Sequence, residues 1–157
     1  MTAGPLTSLA WPAVAARLHA SRSLWLTTSE PGSGPHAVPV WGAVLDGVLH
    51  LYTSRSTRKA RNVAAEPRVV LHLPDPEDVL LVSGRLRDLG GPRDVPDVVA
   101  AFAAKYTAPG DEGYLPGVDP GADVVYALEP RQAMAWRLAD FENSQQRWEA
   151  SASTGPT

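Results

Sequence analysis

The chain has 157 residues, of which 44% are hydrophobic and 20% are charged, proportions that are ordinary for a soluble globular protein. It contains no cysteine, which excludes disulfides, thiolate catalysis, thiolate-bound zinc and iron–sulfur clusters. The formal net charge of −3 argues against a general nucleic-acid binder, because such proteins usually carry a basic footprint. No apolar run approaches the roughly 18 residues that a membrane-spanning helix needs.

Residues 1–9 lack the basic start and the apolar stretch of a signal peptide. We therefore expect a cytoplasmic protein that contacts neither membranes nor nucleic acid. Its size fits one folded domain over residues 1–150. The small polar residues at 151–157 predict a disordered tail.

The first half of the chain predicts a helix followed by three strands. Apolar spacing indicates a helix over 9–20, with Trp11 anchoring it and Pro12 in its first turn. Strands are expected over 23–28, 36–45 and 48–53. The last two flank Asp46-Gly47, a typical two-residue hairpin turn.

The second half alternates helices and strands in the same way. A helix is expected over 56–65, capped by Ser56 or Thr57 and ended by Pro67, and another over 94–106, capped by Asp94. Further strands are expected over 68–73, 79–86, 123–128 and 133–138, the last pair lying around Pro130. Most connections are too short for parallel crossovers, so the pattern favours an antiparallel barrel over a Rossmann fold.

The segment 52–62 carries the clearest chemical signal. Four of the chain's 14 basic residues (Arg55, Arg58, Lys59 and Arg61) fall within seven positions, interleaved with hydroxyl side chains. A helix that starts here presents free backbone N–H groups to an anion, and the basic side chains add charge-assisted hydrogen bonds. The competing interpretation is a solvated basic face on an exposed helix, the usual fate of a charge run. Position at a strand-to-helix junction favours the anion site.

The block 23–84 resembles the pyridoxamine-phosphate-oxidase-like split-barrel proteins, which bind FMN or the deazaflavin F420. The likeness lies in residues 35–41 (PHAVPVW), in the hairpin at 46–47, and above all in residues 52–69. It implies a mainly β (α+β) fold, an antiparallel split β-barrel with flanking short helices. It also implies a homodimer with the cofactor at the subunit interface.

By the same resemblance, the cofactor phosphate would contact the start of the helix, and the ring would lie along the second strand. The implied cofactor-binding residues are Val38, Pro39, Val40, Trp41, Thr53, Ser54, Thr57, Arg58, Lys59 and Asn62. The loop 107–121 and a second subunit would complete the pocket. The basic residue with which pyridoxamine phosphate oxidases grip FMN on the second strand is missing near Ala37 and Val38, which argues against oxidation of pyridoxamine phosphate.

The resulting functional hypothesis is an oxidoreductase that passes a hydride between F420 or FMN, with F420 preferred, and a small organic substrate. The alternative is a non-catalytic carrier or sensor of flavin, deazaflavin or haem. Neither hypothesis assigns a catalytic side chain. The four histidines show no metal-ligand spacing, so no metal site is expected.

Overall fold

The computed structural model describes residues 7–151, which form nine strands and four α-helices. The strands are β1 (Thr7–Ser8), β2 (Leu24–Glu30), β3 (Gly34–Val40), β4 (Gly42–Leu45), β5 (Val48–Thr53), β6 (Arg68–His72), β7 (Asp78–Asp88), β8 (Val124–Arg137) and β9 (Gln146–Glu149). The helices are α1 (Trp11–Ala20), α2 (Arg58–Ala65), α3 (Pro96–Lys105) and α4 (Phe141–Ser144). None of the helices in this range has the length and hydropathy that a bilayer crossing requires.

The sheet closes on itself as a barrel. The pairing order β3-β2-β6-β7-β8-β5-β4 is antiparallel throughout. Since β3 runs into β4 through the single residue Trp41, the two ends of this order are continuous chain. The predicted antiparallel barrel with short flanking helices is thus confirmed. A parallel pair, β1 with β9, extends the sheet beyond β8.

Two apolar clusters form the core. The barrel interior holds fully buried side chains from most strands, among them Leu24, Leu26, Leu49, Leu51, Leu71, Leu80 and Val82. The second cluster packs α3 against the other face of β4 and β5, with Phe102 and Tyr106 at its centre. Outside the barrel, Trp11 packs on Trp148 with ring centroids 4.9 Å apart, and its indole N–H donates to the Gly47 carbonyl at 2.8 Å.

Local turn chemistry is confirmed where it was predicted. Asp46 and Gly47 both adopt positive φ, 52° and 76°, and Leu45 pairs with Val48 across them. The strand Val48–Thr53 has the predicted bounds, and the helix after it begins at Arg58 with Thr57 as its cap.

Three predicted details are wrong. The strand expected over 36–45 is two strands, because the chain stops pairing with β2 at Val40 and starts pairing with β5 at Gly42; this change of partner at Trp41 is called the β3–β4 bend. The strands expected around Pro130 are one strand, β8, which passes the proline through a register shift opposite Gly84. Asp94 does not cap α3: its carboxylate accepts the N–H of Gly91 in a preceding 3-10 turn, and Val95 precedes the helix.

Two further strands, β1 and β9, were not predicted. The tail expected over 151–157 lies outside the described residues except for Ser151.

The fold lowers the pKa of two histidines. His50 is 7% exposed, and its Nδ1 has no hydrogen-bond partner within residues 7–151. Burial lowers its pKa. His19 Nδ1 lies 3.0 Å from the Val44 amide nitrogen and accepts its N–H, which requires that nitrogen to be unprotonated. Burial and, to a lesser degree, the charge of Lys105 lower the pKa of His19.

We expect the protein to lose stability as the pH falls from 7 to 5. The unfolded chain takes up protons near the ordinary histidine pKa of 6.5, whereas the folded chain takes them up at lower pH. The stabilisation that His19 and His50 contribute through their lowered pKa is therefore complete above pH 6.5 and declines below it. Each unit by which a pKa is lowered corresponds to about 1.4 kcal/mol.

Urea unfolding of the wild type and of His50→Leu at both pH values tests this expectation. The variant has no proton to gain at position 50 and should lose less stability on acidification. An equal loss in both proteins would contradict a contribution from His50.

Candidate functional site

A cleft of about 540 Å³ opens where the barrel wall bends at Trp41. Its walls come from the β3–β4 bend, the end of β5, the start of α2 and the loop 107–123. Its volume lies in the range of small-molecule sites. The lining residues are Ser23, Pro39, Val40, Trp41, Tyr52, Thr53, Ser54, Thr57, Lys59, Tyr114, Asp119, Gly121 and Ala122.

A hydrogen-bonded turn joins β5 to α2 at one end of the cleft. The Thr57 N–H donates to the Ser54 carbonyl at 3.0 Å, and the Thr57 hydroxyl donates to the same carbonyl at 2.7 Å. Thr57 Oγ1 also accepts the N–H of Ala60 at 3.3 Å, which makes it the N-cap of α2. The first N–H groups of an α-helix have no intrahelical acceptor. The turn therefore places the positive end of the helix dipole beside the cleft.

Lys59 is the basic side chain of the segment 55–61 that lines the cleft. Burial lowers the pKa of its ammonium group. It takes part in none of the ion pairs formed within residues 7–151. A half-buried cation without a carboxylate partner stabilises a bound anion more than a solvated one does, because less solvent screens the interaction.

The other three basic side chains of this segment have partners outside the cleft. Arg55 forms two hydrogen bonds with the Asp88 carboxylate, at 2.7 and 3.1 Å. Arg58 pairs with Glu30 at 3.3 Å, and Arg61 donates to the Ser56 carbonyl. In this structure the three arginines are thus engaged outside the cleft, and Lys59 is the member of the group that lines it.

Aromatic side chains form the opposite wall. Trp41 stacks on Tyr106 with ring centroids 4.1 Å apart and planes 4° from parallel. Tyr114, which is 66% exposed, lies in an edge-to-face arrangement with Trp41, with ring centroids 6.5 Å apart. Tyr52 donates its hydroxyl to the Tyr114 carbonyl at 2.7 Å, and burial raises the pKa of that hydroxyl. The wall presents flat apolar surfaces, which suit a planar ring.

Seven of the ten predicted site residues line this cleft: Pro39, Val40, Trp41, Thr53, Ser54, Thr57 and Lys59. Three do not. Val38 packs against the barrel core, Arg58 pairs with Glu30, and Asn62 is 2% exposed and donates to the Thr28 hydroxyl at 3.0 Å. Asn62 thereby ties α2 to β2.

Sequence reasoning missed several lining residues: Ser23, Tyr52, Tyr114, Asp119, Gly121 and Ala122. It expected a contribution from the loop 107–121 without naming residues in it. Tyr52 could have been predicted from the sequence, because it directly precedes Thr53 at the end of a strand whose next residues form the turn.

The chain belongs to the pyridoxamine 5'-phosphate oxidase family, because its residues 10–137 match the sequence model of that family. No curated protein sequence matches it significantly.

Several solved structures share the fold. A protein of unknown function from Agrobacterium tumefaciens superposes with a TM-score of 0.65 at 26% identity, over 84% of this chain and 60% of that one. A heme-binding protein from Mycobacterium smegmatis gives 0.65 at 20% identity, over 92% of this chain and 60% of that one. An F420 reductase gives 0.56 at 22% identity, over 75% of this chain and 93% of that one. The chain thus spans 60% of the length of the first two proteins.

Replacing the cap of α2 should loosen the end of the helix that borders the cleft. Thr57→Ala removes the side chain that accepts the Ala60 N–H and should lower the free energy of unfolding by about 1 kcal/mol. Thr57→Ser keeps the hydroxyl and should stay close to the wild type. Urea denaturation measures both, and equal stability of Thr57→Ala and Thr57→Ser would contradict the cap.

Proposed function

We propose that this protein binds F420 or FMN in the cleft beside α2 and acts as an oxidoreductase on a small organic substrate, with F420 as the preferred cofactor. The observation that carries the proposal is Lys59, a half-buried cation outside the described ion pairs, facing a cleft at a helix N-terminus. Such a site favours the binding of an anionic group, and the flat wall beside it favours a planar ring.

The residues present fit a phosphate at one end of the cleft. Lys59 supplies charge, the first turn of α2 supplies backbone N–H groups, and Ser54 supplies a hydroxyl that lines the cleft and lies 2.8 Å from that of Ser56. Arg58 is 44% exposed, and its pair with Glu30 contributes little stability in solvent. Its guanidinium is therefore free to exchange Glu30 for a phosphate at small cost.

The other end of the cleft fits a ring system. Pro39, Val40 and Trp41 offer apolar surface, and the rings of Tyr52 and Tyr114 add to the lining. When bound, the cofactor supplies a ring that accepts or donates a hydride. The chain's own residues bind its phosphate, orient its ring and keep water from part of the cleft.

The alternative is a non-catalytic carrier of flavin, deazaflavin or haem, and a protein of the same fold binds heme. In the part of the chain that the structure describes, none of the four histidines lines the cleft. A haem placed there would lack the histidine ligand that many haem proteins use. This observation favours a flavin or deazaflavin over haem, and substrate turnover separates the enzyme from the carrier.

Lys59→Ala should weaken cofactor binding by roughly 1.5–3 kcal/mol, the contribution of one hydrogen bond to a charged group. Fluorescence-quenching titrations with F420 and with FMN measure the affinity. Arg61→Ala is the matched control, because it removes the same charge from the same helix outside the cleft. Replacing Arg58 and Lys59 together should weaken binding further.

Equal affinities of Lys59→Ala and the wild type would contradict the phosphate site. A wild-type protein that binds neither cofactor but gives a strong Soret band with haem would replace the proposal by the haem carrier. Tight cofactor binding without turnover of any substrate tested would favour the flavin carrier.

We also propose that the protein is a homodimer, as its resemblance to the family implies. A row of apolar or aromatic side chains crosses the outer face of the barrel wall, on positions paired in register: Trp25, His72, Leu81 and Met134. Trp25 is 37% exposed and also pairs with Pro39, which lines the cleft. A second subunit on this face would therefore border the cofactor site.

Light scattering should give the mass of two chains for the wild type. Trp25→Arg places a charge on the proposed interface and should shift the protein toward one chain, because an unpaired buried charge is costly. Val48→Arg changes a residue of similar exposure (36%) on the hairpin and should leave the dimer intact. A monomeric wild type would contradict the dimer.

A further inference from the structure

Three segments far apart in sequence meet behind the aromatic wall of the cleft. Arg22 lies between α1 and β2, Trp41 at the β3–β4 bend, Tyr106 directly after α3, and Asp111 in the loop that follows. Arg22 donates to both oxygens of the Asp111 carboxylate, at 3.0 and 2.7 Å. This bidentate geometry adds directional specificity to the attraction between the two charges.

Asp111 is the fixed end of this ion pair. It is 5% exposed, and its Oδ2 also accepts the N–H of Ala108 at 3.0 Å. The hydrogen bonds from Arg22 lower the pKa of the carboxyl group, so it stays charged at neutral pH. The carboxylate thus ties its own loop to the segment before β2.

Arg22 also lies against the aromatic stack. Its guanidinium carbon is 5.1 Å from the centroid of Trp41 and 5.8 Å from that of Tyr106, within the range of cation–π attraction. The Tyr106 hydroxyl donates to the Arg22 carbonyl at 2.7 Å and accepts the Gly42 N–H at 3.0 Å. Trp41 is therefore held by a ring on one side and by a guanidinium nearby.

Arg22, Tyr106 and Asp111 do not line the cleft, whereas Trp41 and Tyr114 do. Tyr114 follows Asp111 by three residues, and its backbone carbonyl accepts the Tyr52 hydroxyl. The position of the two lining rings thus depends on contacts made behind them. We infer that Arg22 and Asp111 are positioning residues, which hold Trp41 and the loop 107–121 in place and so set the fit of the cleft to a planar ligand.

The part of this inference that concerns a ligand rests on the proposed cofactor site, while the part that concerns the loop does not. Ordering side chains at a binding site costs free energy on binding, and this cost is smaller when the side chains are already ordered in the free protein. Removal of the Arg22–Asp111 pair should therefore loosen the loop in the free protein and weaken the ligand in the complex.

The test compares Arg22→Ala, Asp111→Asn and Arg22→Lys with the wild type. The Arg22 side chain is 58% exposed, so its truncation leaves no cavity in the core. Arg17→Ala is the control, because Arg17 pairs with Asp78 at 3.0 Å and does not line the cleft. Two readouts are measured: hydrogen exchange of the amides in 107–121, and the affinity for F420 and FMN.

Arg22→Ala and Asp111→Asn should accelerate exchange in the loop and weaken the ligand by about tenfold, as expected when two ring side chains lose their order. Arg22→Lys keeps the charge without the planar guanidinium. It should therefore change loop exchange and ligand affinity less than Arg22→Ala does. Arg17→Ala should change neither.

Two results would overturn the inference. One is unchanged loop exchange in both Arg22→Ala and Asp111→Asn, and the other is faster exchange with unchanged affinity for a ligand that the wild type binds. A wild type that binds neither cofactor would overturn the proposed function instead. The inference would then be decided by loop exchange and by the near-ultraviolet circular dichroism of the Trp41–Tyr106 stack, which Arg22→Ala should weaken.

Discussion

The bend of the barrel wall at Trp41 and Gly42 is the constraint on which the remaining structure depends. The chain leaves β3 paired with β2 and enters β4 paired with β5, so this bend closes the barrel. A Cβ atom on Gly42 would lie 3.0–3.2 Å from side-chain methyl groups of Leu24, Leu49 and Leu51 in the core, so these leucines would have to shift to admit a larger residue. At this bend Trp41 packs against the second apolar cluster, where it stacks on Tyr106, and it also lines the cleft.

The distribution of charge then distinguishes one end of the cleft from the other. The segment that follows β5 has a high density of positive charge, but Asp88 and Glu30 pair with two of its arginines and a backbone carbonyl accepts a hydrogen bond from the third. Among the described residues, the basic group that lines the cleft is the half-buried ammonium group of Lys59, in the first turn of α2. Specific recognition of an anion needs few charges when they are desolvated and when the backbone amides beside them are already aligned.

Features that depend on local chemistry could be predicted from the sequence. The Asp46-Gly47 turn, the strand after it and the threonine cap of α2 follow from backbone preferences of a few adjacent residues. Seven of the site residues that the family resemblance implied line one cleft, and their role in cofactor binding stays a prediction.

Features that depend on distant partners could not be predicted. Pro130 resembles a strand end, but pairing with β7 carries β8 through it as a bulge opposite Gly84. Glu30 lies 28 positions before Arg58, and nothing in the local sequence reveals that ion pair. The wall formed by Tyr52 and Tyr114 likewise requires the loop to fold back over β5.

The pairing of β1 with β9 has a consequence for how the protein is made. Residues 7 and 8 pair with residues 146 and 147, and Trp11 meets Trp148 across the same edge. Contacts of such long sequence separation are slow to form because the intervening chain must first be ordered. During synthesis α1 and the hairpin at Asp46-Gly47 can form early, but this edge of the sheet must wait until residues 146–148 have left the ribosome.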